Sequence, residues 1–178
     1  RPMPRLPTVS PLDRATRDAG AAALQPCVAS LHGLYAAAKV AHWNVRGVNF
    51  GPLHDLCGEV ADAAAKHEDA IAELIPQMGA LVEPPGEMPE VDGAPDGVAL
   101  CSSLADILRE TIHVLSDASD KANDLGDLDT VQVLSEATIA LKKLGWRVLA
   151  HVPETEDEAD EDAPESSPPP FAPKGKAP

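Results

Sequence analysis

Four long stretches of the sequence carry apolar residues at intervals of three and four, the spacing of one face of an α-helix. No stretch alternates in the way that predicts a β-strand. Aromatic residues make up only 3% of the chain, so the core must be built from Ala, Leu and Val, which favour closely packed helices. We predict helices over residues 14–43, 51–78, 103–125 and 129–150.

Several residues indicate how these helices begin and end. Pro26 lies inside the first stretch, where an interior proline costs about 3 kcal/mol and either bends the helix or restarts it. Pro76 and Gly79 predict the end of the second helix near residue 78. Asp129 is a favourable N-cap, and Gln132 completes the pattern of a capping box at the start of the fourth helix.

Residues 80–101 contain four prolines and three glycines, a composition typical of a loop. Two long helices, a long connection and two further helices follow one another in ferritin-like bundles. The sequence therefore predicts an all-α fold, a ferritin-like four-helix bundle with a long crossover between the second and third helices.

Both ends of the chain differ in composition from the central domain, which we place at residues 13–152. Residues 1–12 contain four prolines together with arginines, and we expect a flexible N-terminal extension. Residues 153–178 are proline-rich and carry eight acidic residues between positions 154 and 165. Such a segment cannot bury enough apolar surface to order itself, so we expect a disordered acidic tail.

Charge and cysteine usage restrict the partners and the compartment. The formal net charge is −15, and a strongly acidic surface repels nucleic acid and attracts cations. Cys27, Cys57 and Cys101 are odd in number and form no CxxC motif, so we interpret them as buried thiols in a reducing compartment. No apolar run approaches the roughly 18 residues of a membrane span, and no signal-peptide core is visible. We therefore expect a cytoplasmic protein without a membrane partner.

Residues of the metal-ligating type lie along the second predicted helix. His54 and Glu73 are about 28 Å apart along a helix axis, so they cannot share an ion within one chain. If two copies of this helix pack antiparallel about a two-fold axis near residues 63 and 64, position i faces roughly position 127 − i of the partner. His54 then meets Glu73 of the partner subunit, and position 58 meets Asp69 of the partner subunit. The small residues expected at the crossing are Ala61, Ala63, Ala64 and Ala65.

Two such sites would form in each dimer, and His42 at the end of the first helix adds a second imidazole to each. Nitrogen and hard oxygen ligands without a thiolate suit Fe(II), Mn(II) or Zn(II). Ligand type alone leaves the choice among these metals open.

Residues 39–80, KVAHWNVRGVNFGPLHDLCGEVADAAAKHEDAIAELIPQMGA, resemble the signature of the Dps mini-ferritins, the DNA-binding proteins from starved cells. The resemblance rests on His-Trp-Asn, Arg-Gly, Asn-Phe, Leu-His and then Asp-x-x-x-Glu. It covers the first two helices strongly and the last two mainly by pattern, and the tails lie outside it.

This resemblance implies a homododecameric shell that oxidises Fe(II), preferably with hydrogen peroxide, and stores ferric mineral in protection against oxidative stress. It places the ferroxidase sites at two-fold interfaces. His42 and His54 would be ligands from one subunit, and Asp69 and Glu73 would come from the other. Trp43 would lie beside the metal and take up oxidising equivalents, or it is simply an apolar plug at an interface.

One departure from the family pattern concerns a ligand. Dps proteins usually have an Asp four residues after the second His, where this chain has Gly58. Water, Asp55 or Glu59 are candidates to fill the place. The loss favours an alternative function, a nucleoid-associated DNA-binding protein with a weakened or altered metal site. The acidic charge disfavours that alternative, and a structural bundle without metal is a third class.

The remaining charged residues have two interpretations. The acidic run at the junction of the third and fourth helices is either a solvated, helix-capping face or a cation-attracting pore of the kind found in the family, with Asp124, Asp127 and Asp129 as its lining. The other histidines are expected at the surface or with their hydrogen bonds satisfied, namely His32, His67, His113 and His151.

Overall fold

A computed structural model of the protein describes residues 6–86 and 96–152. These residues form four helices, α1 (Arg14–Asn44), α2 (Phe50–Gln77), α3 (Gly97–Asp124) and α4 (Leu128–Leu149). The described ranges hold no strand, and their one isolated β-bridge joins Arg46 to Asp96. The predicted all-α fold is confirmed.

The order of packing shows why the connection between α2 and α3 must be long. α1 packs chiefly against α2, and α3 packs against α4. α1 also contacts α3, and α2 contacts α4, so α2 and α3 lie across the diagonal of the bundle. Gly97 lies beside Arg46 and Leu53, at the end of the bundle opposite to the end of α2, so the connection must span the length of the bundle, as the predicted ferritin-like crossover requires.

The predicted apolar stripes form one continuous core. On α1 the buried stripe is Leu24, Val28, Leu31, Leu34 and Ala38, and on α4 it is Leu134, Ala137, Leu141, Leu144 and Val148. Alanine and leucine dominate this core, and the small side chains let the helix axes approach closely. Pro26 sits on the exposed side of α1, and the helix continues through it rather than restarting.

Two predicted helix starts are wrong. α3 begins at Gly97 rather than near residue 103, because the carboxylate of Asp96 caps it by accepting a hydrogen bond from the Val98 amide at 3.1 Å. The N-cap of α4 is Asp127 rather than Asp129. Asp129 lies in the first turn, where a negative charge is favourable, and Gln132 donates to Glu136 instead of closing a capping box.

The ends of the chain are described in part. Residues 6–12 contain no regular secondary structure, but the Leu6 amide donates to the Gly79 carbonyl at 3.1 Å and the Thr8 hydroxyl donates to the Gln77 carbonyl at 2.5 Å. This segment is held against the end of α2. Residues 1–5, 87–95 and 153–178 lie outside the described residues, so the flexible arm and the acidic tail stay predictions. No helix in the described ranges is long and apolar enough to cross a membrane.

All three thiols are buried in the bundle, as predicted. Burial raises the pKa of the Cys27 thiol to about 12 and that of Cys57 to about 11, and it also raises the pKa of Cys101. The thiolate is the reactive form of cysteine, so these three groups are chemically quiet in the folded protein.

We expect iodoacetamide at pH 8 to alkylate the folded protein at least about a hundredfold more slowly than the unfolded chain, because roughly one Cys57 thiol in a thousand is ionised at that pH. Mass spectrometry of timed samples measures the rate. The control is the same chain in guanidinium, where all three cysteines should react. Rapid labelling of any of the three in the native protein would contradict their burial.

The two aspartates at the start of α4 provide a matched pair for testing the cap. The Asp127 carboxylate accepts hydrogen bonds from both the amide and the hydroxyl of Thr130, at 3.3 and 2.7 Å. Asp127→Ala should lower the free energy of unfolding by about 1–2 kcal/mol. Asp129→Ala removes only a favourable charge from the first turn and should cost a few tenths of a kcal/mol. Guanidinium denaturation at equal protein concentrations measures both, and equal losses would show that the cap is misassigned.

Candidate metal centre

Two histidines meet where α1 passes into α2. His42 lies in the last turn of α1, and His54 lies in the first turns of α2. Nδ1 of His42 is 2.7 Å from the backbone carbonyl oxygen of His54, and Nδ1 of His54 is 2.8 Å from the carbonyl oxygen of His42. The rings stack with their centroids 3.7 Å apart and an angle of 23° between their planes.

This reciprocal contact determines which ring nitrogens are available. A carbonyl oxygen only accepts hydrogen bonds, so each Nδ1 must carry the proton and donate it. In a neutral imidazole the other nitrogen, Nε2, then holds the lone pair. Metal-binding histidines commonly donate their second nitrogen to a carbonyl or carboxylate in this way. The two side chains therefore fit the role of a pair of nitrogen ligands.

The local sequence explains how the chain turns to bring the histidines together. The buried Val45 ends α1 and donates its amide to the Ala41 carbonyl at 2.9 Å. Gly47 has a φ of +98°, a conformation that L side chains rarely adopt, and its carbonyl accepts from the Phe50 amide at 3.1 Å. The reversal takes only a few residues, so the end of α1 and the start of α2 lie side by side.

Phe50 is a part of this region that the sequence reasoning missed. Its ring stacks on His54 with a centroid distance of 5.1 Å and an interplanar angle of 28°. The contact restricts rotation of the His54 ring. Phe50 precedes His54 by one helical turn, and that spacing is the signal that points to it.

The two predicted carboxylate ligands lie far from the imidazoles of their own chain. Asp69 and Glu73 are both exposed on α2, and helix rise places them about 22 and 28 Å from His54 along the axis. Within the described part of one chain, no three His, Cys, Asp or Glu side chains are grouped so that they could hold a metal ion. The four predicted ligands are therefore brought together only in pairs, and a site with all four requires a second subunit.

The surface available for that second subunit differs from the predicted alanine crossing. Ala61 and Ala64 are fully buried in the core of their own bundle, and Ala63 packs against the same core. Ala61 and Ala64 therefore cannot face a partner. Of the predicted four, the half-buried Ala63 and Ala65 remain, and the exposed residues near them on α2 are Asp62 and Lys66. The predicted crossing surface was wrong for Ala61 and Ala64.

Gly58 faces His42 directly. A Cβ atom at Gly58 would lie 3.4 Å from Nδ1 and 3.5 Å from Cε1 of the His42 ring, with no other heavy atom outside the helix backbone within 4 Å. These are ordinary van der Waals distances, so the site has room for a side chain at this position. The absence of a side chain at position 58 therefore leaves a gap beside the imidazole pair.

Glu59, one of the candidates to fill that gap, is engaged elsewhere. Its carboxylate accepts two hydrogen bonds from the Arg147 guanidinium on α4, one of them at 2.8 Å. This bond to Arg147 is also the main reason that the pKa of Glu59 is lowered. The expectation that Glu59 replaces the missing ligand does not agree with this geometry.

Trp43 lies beside the histidine pair but points to the surface. It is 66% exposed in the single chain, and Nζ of Lys39 is 5.6 Å from its ring centroid. This distance is near the outer limit of a cation–π contact. A large exposed aromatic side chain is compatible with both interpretations of Trp43, and both stay predictions.

The other histidines do not join the pair. Nδ1 of His32 is 3.0 Å from Glu68, and Nδ1 of His113 is 3.4 Å from Asp117. His67 is buried, and burial lowers its pKa. His151 is half-buried just beyond the end of α4.

The three candidate pore residues border different cavities of the single chain. Asp127 and Asp129 line one cavity at the junction of α3 and α4, next to residues 9–12. Asp124 lines another cavity, together with Asp117 and Asp120. Asp127 also caps α4, so part of its hydrogen-bonding capacity is used. A common pore lined by all three stays a prediction.

Comparison with known proteins agrees with this fold. Residues 21–156 match the family model of the ferritin-like domain. The DNA protection during starvation protein of Halobacterium salinarum is 29% identical over 129 residues, covering 67% of this chain and 70% of the relative. The protein of the same name from Agrobacterium fabrum is 27% identical over 139 residues, covering 74% of this chain and 86% of the relative.

Solved structures show the same architecture. The archaeal Dps homologue from Halobacterium salinarum superposes with a TM-score of 0.77 at 22% identity, covering 87% of this chain and 92% of that one. The Dps protein from Vibrio cholerae O1, described as a member of a broad superfamily of ferritin-like diiron-carboxylate proteins, gives a TM-score of 0.74 at 24% identity and covers 84% and 98%. With its four-helix fold, its ferritin-like domain match and these relatives, the chain belongs to the Dps family of ferritin-like proteins.

Proposed function

We propose that the protein is a ferroxidase and iron-storage protein that acts as a homododecamer. The observation that carries this proposal is the His42–His54 pair, in which both Nδ1 atoms donate hydrogen bonds to backbone carbonyls. That arrangement leaves two Nε2 lone pairs for a metal and fixes the planes of both rings.

Two subunits are needed to complete the site. In an antiparallel two-fold pairing of α2, Asp69 and Glu73 of the partner subunit approach Gly58 and His54 of the first. The exposed positions of Asp69 and Glu73 and the exposed ring of Trp43 support such an interface. A two-fold axis repeats each contact, so every dimer holds two sites. Six such dimers would make up the dodecamer.

Each group has a specific task at this site. The imidazoles and carboxylates bind Fe(II) as substrate and hold it in a fixed position. Two Fe(II) ions give one electron each to hydrogen peroxide, which takes up two protons, loses its O–O bond and leaves as two molecules of water. Fe(III) then moves to an acidic interior surface where mineral forms. Mn(II) and Zn(II) accept the same ligand types and are expected to compete with Fe(II).

Mixed assemblies test whether the site is shared between subunits. His54→Ala and Glu73→Ala should each abolish rapid Fe(II) oxidation while leaving assembly intact, and so should the double variant. When the two single variants are unfolded together and reassembled, about a quarter of the sites should regain both residues, because half of the dimers are mixed and each holds one intact site. Stopped-flow absorbance after addition of Fe(II) and peroxide measures the recovery.

The matched control mixes His42→Ala with His54→Ala. Both residues come from the same side of the site, so a mixed dimer contains no intact site and activity should stay absent. Recovery in this control, or none in the first mixture, would contradict the proposed division of ligands. Oxidation at the wild-type rate in the His54→Ala, Glu73→Ala double variant would overturn the site itself.

DNA binding is a second candidate function, and two observations favour it. The curated relatives are DNA protection during starvation proteins, and Gly58 stands where the family usually has a carboxylate ligand. The electrostatic field of the chain opposes DNA binding, because a net charge of −15 repels the phosphate backbone of DNA. Arginines near the N-terminus would have to act together across many subunits to overcome that repulsion.

We expect no stable complex with duplex DNA at physiological salt. A gel-shift assay of the assembled protein at about 50 and 200 mM salt measures this, because phosphate contacts weaken steeply over that range. A strongly basic DNA-binding protein on the same gel is the positive control. A shift that persists at the higher salt would make DNA binding the leading function.

A further inference from the structure

We propose that Asp62 supplies the carboxylate that Gly58 cannot, so that this chain moves one metal ligand by a single turn along α2. The inference rests on the proposed function, since it concerns the same site. It assigns a specific role to a residue outside the family's ligand pattern. Asp62 would act by contacting the bound metal.

The gap to be filled lies on the face of α2 that carries His54. Gly58 follows His54 by one turn. The His42 ring borders the empty space above Gly58, and a Cβ atom added at Gly58 would lie 3.4 Å from Nδ1 of that ring. Asp62 follows Gly58 by one further turn and is rotated about 40° from it around the axis. His54, Gly58 and Asp62 therefore form one continuous row on the surface of the helix.

The direction of helical side chains brings Asp62 toward the gap. Side chains in an α-helix lean toward its N-terminus and cover the preceding turn. The preceding turn of Asp62 is the one that contains Gly58, which has no side chain to occupy that space. Asp62 is exposed in the single chain, so its carboxylate is accessible to a ligand.

The other nearby acids are placed less well. Glu59 is held by two hydrogen bonds from Arg147 on the side of α4. Asp55 is exposed, but its position before Gly58 makes it lean toward residue 51, away from the gap. Among these three carboxylates, Asp62 alone both lies on the row and leans in the right direction.

The proposed two-fold pairing also favours Asp62. Position 62 faces roughly position 65 of the partner, and the partner's Ala65 is small enough to let the helices approach closely there. Asp69 of the partner subunit faces position 58. Because the Asp62 carboxylate leans over Gly58, it would come close to the proposed ligands of the partner subunit. The competing role for Asp62 is an ion pair with the exposed Lys66 of either chain, which would serve assembly and not metal.

Anaerobic titration calorimetry with Fe(II) on the assembled protein tests the proposal without relying on oxidation. Asp62→Asn keeps the shape of the side chain and removes its charge, and it should weaken binding at least about tenfold or remove one iron per site. Asp55→Asn is the matched control and should bind as the wild type does. Gly58→Asp in the Asp62→Asn background should restore binding, because it returns a carboxylate to the gap.

The outcomes separate this inference from the function on which it rests. Fe(II) binding by Asp62→Asn as in the wild type, together with loss of Fe(II) binding by His54→Ala, would overturn the role of Asp62 and leave the ferroxidase proposal standing. If light scattering shows that Asp62→Asn no longer assembles, and Gly58→Asp does not restore assembly, Asp62 would be assigned to an ion pair instead. Absence of Fe(II) binding by the wild-type protein would overturn both proposals.

Discussion

The reciprocal hydrogen bonds between His42 and His54 are the interaction on which the rest of the site depends. They tie the end of α1 to the start of α2 and fix the proton of each ring on Nδ1. Because each donor is a side chain and each acceptor is the backbone of the other residue, a change in either helix moves both rings. The turn through Gly47 and the stack of Phe50 on His54 support this arrangement from two sides. The fold therefore positions the two imidazoles as one rigid unit.

The distance along α2 is the second constraint on the proposed site. A straight helix keeps His54 and Glu73 about 28 Å apart, and nothing within one bundle can close that distance. The proposed site would therefore exist only where two subunits meet, so iron chemistry would depend on assembly. A partly unfolded or dissociated subunit could bind its imidazoles to a metal but could not surround it with carboxylates. This dependence would confine the oxidation step to intact shells.

Much of the fold follows from the sequence, because apolar spacing identifies the four helices, and the prolines and glycines of residues 80–101 identify the long connection. The separation of His54 from Asp69 and Glu73 also follows, since helix rise excludes a site within one chain. The wrong start of α4 arose because two good caps, Asp127 and Asp129, lie close together, and only the actual turn decides between them. The alanine crossing failed for a different reason. Alanine suits either a core or an interface, and only packing shows that Ala61 and Ala64 belong to the core. Likewise, the engagement of Glu59 by Arg147 depends on the distant α4.

α2 carries both the proposed oxidation site and the Cys57 thiol, and it keeps the two on different faces. Cys57 precedes Gly58 directly, but the helical rotation of about 100° per residue turns it into the core, where burial raises its pKa to about 11. Peroxide attacks the thiolate, so both protonation and burial would protect this sulfur from peroxide at the proposed site. The exposed Trp43 is the more accessible oxidisable group. α2 thus places the proposed ligands and the gap at Gly58 on its outer face and the sulfur of Cys57 on its inner face.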